Sequence, residues 1–388
     1  MINVLYVNIA AQQFDGATYS LMNLIKSVKG QVYPIVLLPS KGCVYDFFTR
    51  GGVECIVCDF EQNIFTRPKR AKQYAKLAVM YLPWLLRFNI KNRKCANMIS
   101  ELLENRDIHI VHTNNSTLIV GGDIARKMKV RHVWHFRGFM DLDFGWYPLK
   151  GWRNLKRKIA RTDAVIGVTN AVLSHFISPD CDNAHIIYDA VRSKKDRCLV
   201  LPKNKFFLFC AARLCRTKGV ELAIKAFGLS GLGKDGYRLR IVGSCEARYS
   251  SILKELATDY DVLGHIDFAG YSKDVKEHMQ NATAFLMCSE NEGLGRVTVE
   301  SMFYGCLVIG KSSGGTKEIV KDGVTGYLFD DEAECASLMR KCAEKDNTAI
   351  IRKAQEYACS TFSQEDYGNK IQSVYDKVLH GDSKVGSH

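Results

Sequence analysis

The sequence predicts an α/β protein made of two tandem doubly wound domains facing a cleft. Three observations lead there. Short β-rich runs alternate with helical patterns along most of the 388 residues, as a parallel sheet covered on both faces requires. The alternation restarts near residue 190, after the polar, basic stretch IIYDAVRSKKDRCLVLPKNK. An apolar fraction of 47% supplies ample core, but no apolar run reaches the roughly 18 residues of a membrane-spanning helix.

In the first domain, residues 1–190, INVLYVNI reads as an opening strand rather than a signal peptide, because no basic segment introduces it. ATYSLMNLIKSV follows as a helix, VYPIVLLP as a strand and YDFFTRG as a short helix. ECIVCDF, DIHIVHTN, RHVWHF and DAVIGVT are further strands. In the second domain, residues 191–363, the strands are FFLFCAAR, YRLRIVG, HIDFAG, TAFLMC, CLVIGK and GYLF. The helices between them are GVELAIKAFGLS, YSSILKELATDY, VKEHMQNA, GRVTVESMFYG and TKEIVKDG. Residues 364–388 are expected to form a C-terminal helix packing back on the first domain, then a disordered tail. Open α/β sheets bind ligands outside the carboxyl ends of their strands, so the cleft between the domains is the expected site.

The fourteen cysteines are scattered through apolar runs. Cys55 and Cys58 have redox spacing but lie in a strand, so the expectation is buried thiols in a reduced, cytoplasmic protein. Net charge is +13, and residues 1–190 hold 25 Lys and Arg against 15 Asp and Glu. Segment 67–94 has nine basic residues and no acidic one; segment 149–161 has six and none. Both interleave aromatic and aliphatic residues with the cations. That mixture suits docking on the inner face of an anionic membrane, and a solvated basic face is the competing explanation. No nucleic-acid module accompanies the charge, so nucleic acid is not expected as a partner.

The stretch CSENEGLGRVTVESMFYG, residues 288–305, sets two carboxylates eight apart around a glycine loop at a strand-to-helix turn. Gly293 and Gly295 allow the backbone close to a ligand. The N–H groups of Leu294, Gly295 and Arg296 lie at a helix start, where intrahelical acceptors are lacking. Carboxylates only accept hydrogen bonds, so Glu292 and Glu300 suit vicinal hydroxyls. Upstream, Arg213 and Lys218 stand between a strand end and a helix start, where point charges and the helix dipole together favour an anion such as a diphosphate. The array reads as a site for an anion flanked by two polyols. Taken singly, each of these charges is equally a solvated surface group or a helix-dipole partner.

EGLGRVTVESMFYGCLVIGKSSGGTKEIVKDGVTGYLF closely resembles the E-x7-E region of retaining glycosyltransferases of family GT4, which have the GT-B fold of two Rossmann-like domains. ARLCRTKGVELAIKAF, RIVG and HIDFAG match the same family in order and spacing. The resemblance is strong from about residue 207 to 330 and thinner before it. It implies that Arg213 and Lys218 bind the diphosphate of a nucleotide-sugar and that Glu292 holds the transferred sugar. Gly293, Leu294, Gly295 and Arg296 would line sugar and phosphate through their backbone, and Glu300 would bind the ribose. Gly243 would also lie on the donor side, with Ile266 and Phe268 nearest the base. Cys288 stands where relatives commonly have Pro and is read as packing.

In RHVWHFRGFMDLDFG, His135 and Arg137 alternate with Trp134 and Phe136 and so share one side of a strand. The resemblance places a histidine here beside the transferred sugar, which makes His135 the first-domain catalytic candidate, with Arg137 toward the diphosphate. His132 competes from earlier in the strand. Gly138 replaces a Glu common in relatives. Asp141 and Asp143 are candidates for reaching an acceptor. Gly16, ending the first strand-to-helix loop, would bring backbone close to the donor. The implied reaction is metal- and cofactor-independent transfer of a sugar, from a UDP-sugar by preference, to a saccharide or lipid-linked saccharide in surface polysaccharide or glycolipid assembly. Two rival readings keep the same residues: a non-hydrolysing nucleotide-sugar epimerase, and a non-catalytic nucleotide-sugar-binding subunit.

Overall fold

A computed structural model describes residues 1–68, 71–200 and 202–381. The chain forms two units, one of Met1–Ala190 with the chain from Gln364 onward, the other of Val191–Ser363. The expected disordered tail from residue 382 on lies outside the described residues, as do Lys69 and Arg70 of the first basic segment.

Unit 1 is built on a seven-stranded sheet. Its strands are β1 (Ile2–Val7), β2 (Val32–Leu38), β3 (Glu54–Val57), β4 (Ile110–Thr113), β5 (Arg131–Phe136), β6 (Ala164–Gly167) and β7 (Ala184–Ile186). They run in the order β3-β2-β1-β4-β5-β6-β7, every pairing parallel. Successive side chains in a strand point to opposite faces, and each face carries its own core. Val4, Tyr6, Val36 and Leu38 pack on one side with Leu21 and Leu24 of the helix Gly16–Ser27. The helix Gln364–His380 closes that same side with Tyr367, Ile371, Val374, Tyr375 and Val378. Each such side chain contributes on the order of 1.5–3 kcal/mol when removed from water. Gly368 lets this helix approach closely, since a Cβ there would come within 2.1 Å of the Ser27 carbonyl oxygen. On the other side, Leu5, Val7, Ile35 and Leu37 pack against Cys95, Ala96 and Ile99 of the helix Ala71–Leu102.

Unit 2 has a six-stranded sheet of β8 (Asn204–Arg213), β9 (Arg238–Ser244), β10 (Ile266–Gly270), β11 (Ala282–Met287), β12 (Val308–Lys311) and β13 (Tyr327–Phe329). The order is β10-β9-β8-β11-β12-β13, again all parallel. The chain steps outward from β8 through β9 to β10, then crosses back to β11. The strand order therefore reverses between β8 and β11, the topological switch point where open sheets form a crevice.

Several elements were not anticipated. The helix Ala71–Leu102 is a single run of 32 residues. Phe65–Thr66 and Trp146–Tyr147 form a small antiparallel ribbon. β7 and the helices Glu332–Glu344 and Thr348–Thr361 also went unread.

Candidate functional site

Three loops leave the carboxyl edge of the unit 2 sheet around its switch point. After β8, a single 3-10 turn, Arg216–Lys218, leads through Gly219 into the helix Val220–Ser230. Gly219 has φ +75°, and a Cβ there would lie 2.1 Å from the Cys288 carbonyl oxygen. Only glycine meets both demands, and the contact seats the Lys218 turn against the loop that follows β11. That second loop, from Cys288, ends at Gly295 with φ +70°, which starts the helix Arg296–Phe303. The third loop, SSGG at 312–315, follows β12 and clamps the second. The Gly315 N–H donates to the Glu292 carbonyl at 2.8 Å. A Cβ on Gly315 would strike the Gly293 carbonyl oxygen at 2.0 Å.

These loops bring Lys218 and Glu292 together across 74 residues of sequence: the Lys218 Nζ donates to Glu292 Oε2 at 2.8 Å. Arg213, at the end of β8, pairs with Glu246 on an exposed surface. Glu300, on the second turn of its helix, accepts from Arg192 Nη2 at 3.1 Å. The Arg192 guanidinium also lies 5.4 Å from the centroid of the Tyr304 ring. Each carboxylate and cation expected to meet a ligand thus already holds an opposite charge within unit 2. Arg192 is a participant that sequence reading missed, since nothing local links it to Glu300.

Gly293, Leu294 and Gly295 are buried, whereas Glu292 and Arg296 are half-exposed. Gly243 is confined by the Ala211 carbonyl oxygen, 2.2 Å from its would-be Cβ. Ile266 is buried in the unit 2 core, so its side chain offers no face to a base, and Phe268 packs half-exposed against the same core. Alternation along β10 shows two faces but does not say which one is inward. Cys288 is buried, with its thiol pushed up by burial, in keeping with packing.

In unit 1, Gly16 opens a helix capped by Asp15, its φ is not positive and none of the described residues lies within 4 Å of a would-be Cβ. His135 and Arg137 do share one side of β5, but that side is covered. Both are buried in a polar network with the helix Gln364–His380. Arg137 pairs with Asp189 and donates to Asn114 Oδ1 at 2.8 Å. Tyr367 Oη donates to Asp189 at 3.0 Å, and Tyr375 Oη lies 2.7 Å from His112 Nδ1. His135 Nδ1 lies 3.3 Å from His112 Nε2. Burial and the nearby Arg137 charge hold both histidines well below their ordinary pKa. The expectation of an open histidine concerned His135 alone, and within unit 1 its ring is fully buried. His132 is buried too, with Nε2 2.8 Å from Thr113 Oγ1. Asp141 pairs with His175 at 2.7 Å.

Comparison with known proteins adds independent findings. The family model described as glycosyl transferases group 1 matches residues 191–357, and that of glycosyltransferase family 4 matches residues 47–194. The lipopolysaccharide core biosynthesis glycosyltransferase LpsE of Rhizobium meliloti is 31% identical over 168 residues, 42% of this chain and 48% of the relative. A GDP-mannose-dependent phosphatidylinositol monomannoside mannosyltransferase of Mycobacterium tuberculosis is 30% identical over 210 residues, 48% of this chain and 54% of the relative. The chain therefore spans only about half the length of these curated relatives. Among solved structures, Anabaena HepE in complex with UDP superposes with a TM-score of 0.78 over 97% of this chain and 100% of HepE, at 18% identity. With two Rossmann-like units and both family matches in register along it, the chain belongs to the GT4-type glycosyltransferases of GT-B fold.

Proposed function

We propose that the chain transfers a hexosyl residue from a nucleotide diphosphate-sugar to a hydroxyl of a saccharide or lipid-linked saccharide, with retention at the anomeric carbon and without a metal. The observation that carries this reading is the Lys218–Glu292 pair at the switch-point edge, held between glycine loops. In this reading the donor's diphosphate takes Glu292's place on Lys218 and engages Arg213. Glu292 is thereby released to accept from the sugar hydroxyls, while Glu300 accepts from the ribose. The bond between the anomeric carbon and the diphosphate oxygen breaks, and its electrons leave with the diphosphate. Lys218 and Arg213 stabilise that developing charge. The acceptor oxygen attacks on the same face, and its proton passes to a diphosphate oxygen. The names of LpsE and of the mannosyltransferase support a polysaccharide or glycolipid product. UDP in HepE supports a UDP-sugar, against the GDP-mannose of the mycobacterial relative. The acceptor is proposed to lie at the cytoplasmic face of a membrane, next to the basic segments.

A thermal-shift panel of UDP-, GDP- and ADP-sugars tests the donor, since a ligand that binds only the native state stabilises it by mass action. One UDP-sugar is expected to raise the melting temperature. Lys218→Ala is expected to remove that shift and to lower turnover on the order of 100–1000-fold, with an unchanged circular dichroism spectrum. A folded protein that no compound of the panel stabilises, or a Lys218→Ala variant with normal turnover, overturns the reading.

A further inference from the structure

We infer that the outward face of the helix Ala71–Leu102 inserts among the headgroups of an anionic bilayer, a conclusion that rests on the membrane-borne acceptor proposed above and names the element that touches the lipid. The side chains this helix buries are Phe88, Asn92, Cys95, Ala96 and Ile99, all in its second half. At about 3.6 residues per turn, Val79, Leu82, Leu86 and Ile90 fall on the opposite side. They are exposed by 74%, 64%, 57% and 57%. An apolar stripe pointing away from the core has no structural use inside unit 1. From Leu77 to Leu86 the helix carries no charge at all, and cations bracket the run: Lys72 and Lys76 before it, Arg87, Arg93 and Lys94 after it. That run is about 15 Å long, half of what crossing the hydrocarbon would need, and no helix among the described residues is long and apolar enough to cross.

The second basic segment meets the helix on the side away from the stripe. The Tyr81 hydroxyl donates to the Leu149 carbonyl at 2.9 Å, and the Lys150 ammonium lies 5.4 Å from the Phe88 ring centroid. The helix Trp152–Ile159 then buries Leu155 and Ile159 and exposes Arg153, Lys156 and Arg157. The surface that carries the stripe is therefore the helix's own, apolar along Val79, Leu82, Leu86 and Ile90 and cationic at the exposed Lys72, Lys76, Arg93 and Lys94 on the same side. Anionic lipid complements both features: headgroup phosphates meet the cations, and the stripe sinks about 5–10 Å to the acyl boundary. A second copy of this chain would bring the same positive charge against itself.

The test is co-sedimentation of the full chain with vesicles of phosphatidylglycerol in phosphatidylcholine and with vesicles of phosphatidylcholine alone. The wild type is expected to bind the anionic vesicles and to keep part of that binding at high salt, which screens charges but not apolar contacts. Leu82→Asp with Leu86→Asp should lower the partition coefficient about tenfold or more, while Lys72→Glu with Lys76→Glu should lose chiefly the salt-sensitive part. Equal sedimentation of the Asp variant and the wild type overturns insertion, as does absence of wild-type binding at low salt. A dimer in light scattering that the Asp variant abolishes would assign the stripe to a second copy and overturn it equally. Thermal shift by nucleotide-sugars, run on the same samples, keeps the two readings apart. Intact donor binding without vesicle binding removes insertion alone, and the converse removes the donor site alone.

Discussion

At the scale of single residues, the informative feature is that the expected ligand-binding charges are already paired. Arg192 is the least conspicuous member. It fixes one oxygen of Glu300, rests on Tyr304 and keeps its Nε buried without a hydrogen-bond partner among the described residues. Such an arginine orients its carboxylate rather than touching a ligand itself. If Glu300 receives the ribose, Arg192→Ala should weaken UDP affinity about 5–30-fold through Glu300, and the two substitutions should not add: a double-mutant cycle by calorimetry is expected to give a coupling of about 0.5–3 kcal/mol. Strict additivity would show that the ion pair only decorates the helix. In unit 1 the buried pair of Arg137 with Asp189 has a different character. Its removal would strand a charge in the interior, so its contribution is to the fold of unit 1.

At the scale of elements, glycines decide how closely the loops of unit 2 nest. Gly219→Ala combines a left-handed φ, costing about 1–2 kcal/mol, with a collision against the Cys288 carbonyl, so the Lys218 turn and the Glu292 loop must separate. Gly231 has a similar φ of +70° but nothing within 4 Å of a would-be Cβ. Gly231→Ala should therefore lower stability by about 1 kcal/mol and leave nucleotide-sugar binding intact, whereas Gly219→Ala should lose more stability and the binding as well. Urea melts with thermal-shift titrations on both variants separate the two effects. The glycines themselves, the strand runs of both sheets apart from β7 and the Glu292–Glu300 loop were legible, because local pattern and turn chemistry determine them. The helix Glu332–Glu344 went unread although a start signal was present, Asp331 followed three residues later by Glu334. The long helix was hidden for physical reasons: nearly every position from 71 to 86 is exposed, so no core-facing stripe marks it, and Pro83 reads as a stop. The inward face of β10, the Arg192–Glu300 pair and the cover over His135 are tertiary facts. The last comes from Tyr367 and Tyr375, more than 200 residues further along the chain.

At the scale of the whole molecule, that cover ties the end of the chain to unit 1 and gives the unit a dependence on pH. His112, His132 and His135 are all buried in unit 1. Burial lowers all three, His132 to about 3 with help from Lys158, and the other two with help from Arg137. In the unfolded chain each would titrate near 6.5. Above about pH 6.5 both states are neutral at these rings, and their packing stabilises unit 1 in full. Below it the unfolded chain takes up protons that the folded unit refuses, so stability is lost as pH falls through the unfolded value. Each ring contributes about 1.4 kcal/mol per pH unit once well below 6.5. From about pH 7.5 to 5.5 the three together should remove about 4 kcal/mol, lowering the melting temperature on the order of ten degrees. Unit 2 has no buried histidine among its described residues, so this source of pH dependence is confined to unit 1. The four tryptophans, Trp84, Trp134, Trp146 and Trp152, all lie in unit 1, so their emission reports its melting separately from a calorimetric trace of the whole chain. A tryptophan-monitored transition that stays put down to about pH 5 would mean that the native histidines titrate normally, and that the network around Arg137 is open to water.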